Sequence, residues 1–220
     1  MIFCIGNGKS RENIDLHFLK KKGIIYGSNA LYRDFVPDHL VATDPDMVNE
    51  IIKSGYAEEN VVWTTEYCMF KQEKLNETKD IPNKYKVRII PFEMVHPVNS
   101  GHISIRLAWK QHPEQQIYMI GFDLFGERKN IYDGTDNYPL NETRKSRFIY
   151  DNSGMTESDI FTHMIKKYYD QEDERIGMFW LLKEELCTGI RLTRVIDDDS
   201  KIENIDNITT EQFLEEIEWQ

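Results

Sequence analysis

The sequence has no long apolar run and no excess of positive charge. None of its apolar stretches approaches the ~20 residues that a membrane-spanning helix requires. No basic segment precedes Ile2, so the first residues predict a buried strand rather than a signal peptide. The net charge of −11 argues against a general nucleic-acid-binding surface, because such surfaces depend on clustered Lys and Arg.

Cysteine is scarce, and its spacing fits no zinc pattern. The three cysteines, Cys4, Cys68 and Cys187, are far apart and set in apolar surroundings. This usage favours reduced, structural thiols in a cytoplasmic protein, and no metal site is predicted. With 40% hydrophobic and 30% charged residues, the chain suits a soluble, single α/β domain over residues 1–220.

The first ten residues form the most distinctive pattern. The apolar run at 2–5 predicts a strand buried on both faces. Gly6, Asn7 and Gly8 then predict a sharp turn, and Ser10 is a candidate N-cap for a helix. A strand, a glycine turn and a helix start together can bind a phosphate. The spacing matches neither the P-loop nor the dinucleotide fingerprint, so an ordinary βα turn stays open as the alternative.

Strand and helix patterns alternate along the chain. The predicted strands are 2–5, 24–27, 40–43, 61–64, 87–90, 117–120 and 190–195. The predicted helices are 10–22, 31–35, 47–54, one opened by 99–101, 156–169 and an acidic one at 208–219. Residues 70–82 are predicted as a surface excursion, and about 125–152 as a lid loop, because long aperiodic segments are usually functional. This order predicts a Rossmann-like, mostly parallel sheet with helices on both faces.

Five turns are expected to meet at one edge of that sheet. Ligands of open parallel sheets bind beyond the carboxyl ends of the strands. The turns expected there are Gly6-Asn7-Gly8, Ser28-Asn29, Asp44-Pro45, Asn99-Ser100-Gly101 and Gly121-Phe122-Asp123. Taken alone, the residues of each turn are also typical of an ordinary turn without a ligand. Together, their small, amide-bearing and acidic residues favour a site for phosphate and hydroxyl groups.

The same turns resemble those of bacterial lipooligosaccharide sialyltransferases. In that family Gly-Asn-Gly-Pro-Ser begins the chain, Asn follows the second strand and Asn-Pro the third. Ser-Gly then opens a helix, and Gly-Ile-Asp-Phe-Tyr ends the next strand. The corresponding strings here are IGNGKS, YGSNALYRDF, ATDP, NSG and IYMIGFDLF, in this order over about the first 135 residues. The resemblance implies that the chain belongs to that nucleotide-sugar glycosyltransferase superfamily, which is in turn similar to a group of pterin pyrophosphokinase-like proteins.

The resemblance implies a donor site that uses a nucleotide sugar as co-substrate and needs no metal or other cofactor. The implied donor-binding residues are Gly6, Asn7, Gly8, Ser10, Asn29, Asn99, Ser100, Gly101 and Tyr132. Tyr132 stands where the family has a tyrosine near the leaving phosphate, while Phe125 replaces its other tyrosine. The chain also has Asp44 where the family has Asn, and it lacks the family's histidine base after the lid.

Sugar transfer needs a base for the acceptor hydroxyl and positive charge for the leaving phosphate. The candidate bases are Asp44, Asp123 and His102. Each candidate also has a structural explanation: Asp44 is a natural helix N-cap, and Asp123 can stabilise its own turn. His102 lies at a helix start, where the helix dipole favours the neutral imidazole. The lid supplies the cations Arg128, Lys129, Arg144, Lys145 and Arg147. Arg suits phosphate because its planar group donates two hydrogen bonds at once.

The residues leave the acceptor and the reaction class open. The compact, acidic chain resembles bacteriophage proteins, and in a host cytoplasm the acceptor would be a hydroxymethylated base in phage DNA, or a glycan. A flipped-out base would suit the interleaved aromatic and cationic residues of the lid, and a small-molecule acceptor stays open as well. One alternative is a Mg²⁺-dependent pyrophosphokinase, with Asp44, Asp46 and Asp123 around the metal. The other is a nucleotide-binding module without catalytic activity.

Overall fold

The computed structural model describes residues 1–75, 84–91, 94, 99–123, 130–138, 189–199, 201–202 and 205–218. The strands are β1 Ile2–Ile5, β2 Ile24–Ser28, β3 His39–Val41, β4 Val62–Thr64, β5 Val87–Ile89, β6 Gln116–Ile120, β7 Arg191–Val195 and β8 Asp206–Ile208. The helices are α1 Leu16–Lys22, α2 Pro45–Lys53, α3 Tyr56–Glu59, α4 Glu66–Leu75, α5 Ser100–Gln111 and α6 Thr210–Glu218. Two 3₁₀ turns lie at Lys9–Arg11 and Asn29–Arg33.

The eight described strands form one sheet in the order β5-β4-β3-β2-β1-β6-β7-β8, and every neighbouring pair is parallel. The predicted α/β parallel sheet is therefore confirmed. The chain winds outward from β1 to β5 and then returns to β6 on the other side of β1. At such a reversal the loops of the two central strands diverge, and open sheets bind their ligands there. We call the edge where the strands end the carboxyl edge.

Helices cover both faces of the sheet, as predicted. Side chains alternate along β1, so Phe3 and Ile5 enter one core while Ile2 and Cys4 enter the other. Apolar residues of α1, α2 and α6 pack in the first core, and those of α5 pack in the second. All four of these β1 side chains are fully buried, which explains the unbroken apolar run in the sequence.

Two local predictions are wrong, and one strand is missing from the prediction. Ser10 is not a helix N-cap, because a 3₁₀ turn follows β1 and α1 begins later, with Asp15 accepting two backbone N–H groups at its start. The first part of the expected excursion at 70–82 belongs to α4, whose Cys68 and Gln72 are fully buried, so tertiary packing outweighs polar composition. The short polar strand β8 is absent from the prediction, since three residues carry too little periodicity.

The starts of α6 and α2 follow the sequence closely, whereas β3 ends at Val41, before the predicted end at Thr43. Thr209 accepts the N–H of Gln212 at 3.2 Å, and the Gln212 side chain accepts the N–H of Thr209 at 2.9 Å. This reciprocal pair is a capping box. The predicted Asp44-Pro45 start of α2 is also confirmed.

The predicted helix at 156–169 and all of the lid except 130–138 lie outside the described residues.

Candidate ligand site at the carboxyl edge

The turn after β1 lies directly against the turn after β6, at the reversal of strand order. The N–H of Gly6 donates to the carbonyl of Ile120, and the N–H of Gly8 to that of Gly121, both at 2.8 Å. A Cβ atom on Gly6 would lie 2.3 Å from the Gly121 oxygen, so this approach requires glycine. The two glycines therefore hold β1 and β6 together at the carboxyl edge.

A carboxylate occupies the turn in which the sequence suggests a phosphate. Asp123 accepts the backbone N–H of Ser10 at 3.0 Å and also the Ser10 hydroxyl. A Cβ atom on Gly8 would lie 2.4 Å from the Asp123 Cγ, so this glycine makes room for the carboxylate. Asp123, a predicted base, thus serves as the partner of Ser10, a predicted donor contact.

Asn7 and Asn29 meet at one side chain, Tyr138. Asn7 Nδ2 donates to the Tyr138 hydroxyl at 3.2 Å, and Asn29 hydrogen-bonds to the same hydroxyl. Burial raises the pKa of Tyr138, and the bonds from the two asparagines offset only part of that increase. Asn29 has a φ of 51°, in the left-handed region that Asn tolerates better than most residues. In the described part of the chain, the buried Oδ1 atoms of both asparagines have no hydrogen-bond partner.

Segment 130–138 covers the ends of β1 and β2. Near its start, the N–H of Ile131 donates to the carbonyl of Asn7 at 2.9 Å. Near its end, Arg33 donates to the carbonyl of Asp136 at 2.9 Å. The segment therefore carries Tyr138 over the two asparagines. The sequence predicts this stretch as part of the lid loop, with Tyr132 as a donor contact.

Glu50 on α2 fixes segment 130–138 through Arg33. Arg33 donates to both Glu50 oxygens at 2.7 Å, and Tyr32 and Asn137 donate to the same carboxylate. Burial alone would raise the pKa of Glu50, but these hydrogen bonds outweigh it and hold the pKa below its ordinary value. The position of the segment thus depends on one ionised side chain of the neighbouring helix.

Tyr132 is buried beside two arginines. Its hydroxyl accepts from Arg11 at 2.8 Å and donates to Asp34. The guanidinium carbons of Arg11 and Arg33 lie 5.8 and 5.5 Å from the centre of the Tyr132 ring, within cation–π range. Burial, followed by the bond to Asp34, raises the pKa of Tyr132. The two cations beside this predicted phosphate contact each have a carboxylate partner, Asp34 for Arg11 and Glu50 for Arg33.

The start of α5 reaches the carboxyl edge at β3. Asn99 is the N-cap, because its Oδ1 accepts the N–H of His102 at 3.0 Å. Ser100 accepts the N–H of Thr43 at 3.1 Å, and the two hydroxyls lie 2.9 Å apart. Since Thr43 follows β3, Ser100 lies two strand spacings, about 10 Å, across the sheet from β1. Asn7, Asn29 and Ser100 therefore share one edge, with Ser100 set apart from the asparagine pair.

Phe122 fills the space between β1 and the start of α5. Cβ atoms on Gly6 and Gly101 would lie 3.4 and 3.0 Å from its ring. Its carbonyl accepts two bonds from Arg194 on β7, at 3.2 and 3.0 Å. Arg194 is fully buried, which lowers its pKa, whereas nearby aspartates including Asp123 act in the opposite direction. The sequence reading missed Arg194, although an arginine inside an apolar strand is a visible signal.

His102 is enclosed in the first turn of α5. It is 1% exposed, and within the described residues neither ring nitrogen has a hydrogen-bond partner. Burial lowers the pKa of His102 to about 3, with a smaller decrease from Arg106. Its imidazole is therefore neutral near pH 7 and has one donor and one acceptor to offer. Ser28, at the end of β2, also has a buried hydroxyl without a partner in the described chain.

Asp44 is exposed and begins α2. Its Oδ1 accepts the N–H of Asp46 at 2.9 Å and that of Met47 at 3.2 Å. Asp44 follows β3 and Asp123 follows β6, which places them three strand spacings, about 14 Å, apart across the sheet. Nowhere in the described ranges do three or more His, Cys, Asp or Glu side chains lie close enough to hold a metal ion.

Several predicted contacts lie outside the described residues. They are Phe125, Arg128, Lys129, Arg144, Lys145 and Arg147.

Among the residues described, no helix combines the length and apolarity needed to cross a membrane. Comparisons with protein-family models, with curated proteins and with solved structures find no match for this chain.

Proposed function

We propose that this protein is a glycosyltransferase that takes a sugar from a nucleotide-sugar donor held at the carboxyl edge. The observation that carries the proposal is a set of buried, unpartnered polar atoms along this edge: the Oδ1 atoms of Asn7 and Asn29, the Ser28 hydroxyl and the His102 ring nitrogens. Native proteins pair nearly all buried polar atoms with protein groups, ordered water or a bound ligand, and this group of atoms supports a polar ligand at the edge. The family resemblance of the same turns supports a nucleotide sugar.

The chemistry of these atoms suggests how the donor is divided along the edge. The two asparagine oxygens can only accept, so they suit hydroxyl groups of ribose or of the transferred sugar. A phosphate has no hydrogen to give and suits N–H donors instead, which the first turn of the twelve-residue helix α5 provides near Ser100. We therefore propose sugar hydroxyls near Asn7 and Asn29 and phosphate near α5.

The proposed step is a displacement at the anomeric carbon. The bond from this carbon to the phosphate oxygen breaks, and the phosphate keeps the electron pair. The acceptor oxygen forms the new bond to carbon, and its proton passes to a carboxylate. Asp44 is the more accessible of the two predicted carboxylates, because Asp123 is bound to Ser10. His102, with a pKa of about 3, is too weak a base for this role.

The metal-dependent alternative has less support. A Mg²⁺-dependent pyrophosphokinase would need Asp44, Asp46 and Asp123 around one ion. The spacing of β3 and β6 separates the first and last of these by about 14 Å. Proposed phosphate contacts from Arg128, Arg144, Lys145 and Arg147, and with them a DNA acceptor, rest on the sequence alone.

The donor site is tested with matched asparagine variants. Asn29→Gly removes the amide and keeps the left-handed backbone unstrained, whereas Asn60→Ala removes an amide before β4, at the opposite edge. The full chain is titrated with UDP-, CMP- and GDP-sugars, and both thermal stabilisation and nucleotide release are measured. We expect one donor class to bind, with at least tenfold weaker binding by Asn29→Gly and unchanged binding by Asn60→Ala. Equal binding by both variants, or no binding of any donor, would refute the proposal.

A further inference from the structure

The first part of segment 130–138 is joined to the body of the protein by its backbone. The N–H of Ile131 donates to the Asn7 carbonyl at 2.9 Å, and Asn130 forms a β-bridge with Gly8. Both contacts are made by the turn after β1, which hydrogen bonds hold against the end of β6. The start of the segment is therefore an extension of this turn.

The second part, residues 134–138, closes on itself, and we call it the tyrosine turn. The N–H of Gly134 donates to the carbonyl of Tyr138 at 2.8 Å, and the N–H of Tyr138 donates to that of Thr135 at 2.9 Å. Gly134 and Asn137 have φ values of 87° and 65°, in the left-handed region. These backbone bonds stay within the turn, so the turn can move as one unit without breaking them.

Side chains hold the tyrosine turn against the body of the protein. Arg33 donates to Thr135 Oγ1 at 2.6 Å and to the Asp136 carbonyl at 2.9 Å, and both bonds are exposed to water. Asn137 Nδ2 donates to Glu50 at 2.7 Å. Regions held by exposed hydrogen bonds open more readily than the core of a protein, because water can replace such bonds.

The hydroxyl of Tyr138 lies where a sugar hydroxyl would bind. Three groups donate to its oxygen: the side chains of Asn7 and Asn29 and the backbone N–H of Ala30. Within the described residues, the buried Oδ1 atoms of the two asparagines have no partner. A sugar hydroxyl in this place could accept from the same N–H groups and donate to one of these Oδ1 atoms. The tyrosine and a donor sugar therefore compete for the asparagine pair.

We infer that the tyrosine turn gates the donor site: in its closed position Tyr138 covers Asn7 and Asn29, and the turn swings away when a donor sugar binds. The role as a gate rests on the proposed function, whereas the movement rests on the contacts of the turn alone. A protein whose binding-competent form is only partly populated binds its ligand more weakly, in proportion to that fraction. Loosening the turn should therefore increase the affinity for the donor.

The test compares three variants of the full chain with the wild type. Asn137→Gly removes the bond to Glu50, keeps the left-handed backbone unstrained and touches none of the proposed donor contacts. Tyr138→Phe removes the competing hydroxyl. Tyr118→Phe is the matched control, because it removes a hydroxyl that bonds to Glu216 on α6.

Movement of the turn is measured first, by hydrogen exchange of the protein without donor. Opening of the turn frees the N–H of Ala30, whereas that of Ile131 stays bonded to Asn7. We expect Ala30 to exchange about tenfold faster in Asn137→Gly than in the wild type, with Ile131 changed by less than about twofold. Equal acceleration at both amides, or at neither, would overturn the inference.

Donor affinity is measured next, with UDP-, CMP- and GDP-sugars. Asn137→Gly and Tyr138→Phe should bind the preferred donor class about tenfold more tightly than the wild type, and Tyr118→Phe should bind it equally. Weaker or unchanged binding by the first two variants would overturn the gate and keep the donor site. Faster exchange at Ala30 with no donor bound by any variant would refute the proposed function, and with it the gating role, while the movement itself would stand.

Discussion

The imidazole of His102 is 1% exposed, and among the described residues neither of its ring nitrogens has a hydrogen-bond partner. The native pKa is about 3, below the ordinary value of 6.5, and the main cause is burial. The unfolded chain therefore takes up a proton as the pH falls below about 6.5, while the native chain does so only near pH 3. The contribution of neutral His102 to the free energy of unfolding is therefore fully present above pH 6.5 and is lost as the pH falls from 6.5 towards 3.

This difference predicts a measurable acid sensitivity. Between pH 7 and pH 5, protonation of His102 in the unfolded chain should cost about 2 kcal/mol of the free energy of unfolding. His102→Gln should lose that part of the pH dependence, and His112→Gln, at a partly exposed site, should keep it. Urea unfolding at both pH values measures the effect. The same pH dependence in wild type and His102→Gln would contradict the assignment.

At the scale of the helix, Asp44 at the start of α2 has two roles that substitutions can separate. It caps the helix, and it is the proposed base. Asp44 accepts two backbone N–H groups there, and replacing such an N-cap by Ala costs about 1 kcal/mol. Asn caps as well as Asp, so Asp44→Asn should change stability by less than about 0.5 kcal/mol. If Asp44 is the base, Asp44→Asn should still lower kcat at least 100-fold with an unchanged KM for the donor, because general-base catalysis contributes about 10²–10⁴-fold. Unchanged kcat in a stable Asp44→Asn would exclude Asp44 as the base.

Segment 130–138 depends on a charge pair with α2. Glu50→Ala removes the acceptor of Arg33, Tyr32 and Asn137 and leaves the partly buried guanidinium without a carboxylate partner, with its bonds to Thr135 and the Asp136 carbonyl retained. We expect a loss of about 1–3 kcal/mol and faster hydrogen exchange within segment 130–138. Glu58→Ala, which removes an exposed ion pair with Lys84, is the control and should cost below 1 kcal/mol. Unchanged exchange in Glu50→Ala would show that the segment is held by other contacts.

The sequence identifies elements well where burial and turn chemistry agree. β1 and β6 are apolar on both faces, and the Asp44-Pro45 and Asn99 caps lie where their side chains can bond to the next backbone N–H groups. The wrong predictions have a common cause, because contacts between residues far apart in the sequence determine the structure at those positions. Cys68 and Gln72 are buried by packing that no local pattern reveals, and the hydrogen bond from Ser10 to Asp123 joins residues 113 positions apart.

At the scale of the molecule, the order of strands determines which turns can cooperate. The sequence predicts a common edge, but it cannot predict that β1 lies in the middle with β2 and β6 beside it. That order pairs the turn after β1 with Asp123, brings Asn7 near Asn29 and leaves Ser100 at β3. The resulting site has an asparagine pair, a tyrosine pair beside it and a separate helix start.

The proposal that a nucleotide sugar binds at the carboxyl edge is tested most directly by two-dimensional amide NMR of the full chain. Each UDP-, CMP- and GDP-sugar is titrated into the protein, and shifted signals are assigned along the sequence. The account predicts that one donor class shifts amides within 6–10, 28–30, 43–45 and 99–103, all at this edge. Shifts confined to the opposite edge, around residues 22–24, 37–39 and 112–116, would contradict it, and so would the absence of shifts with every donor.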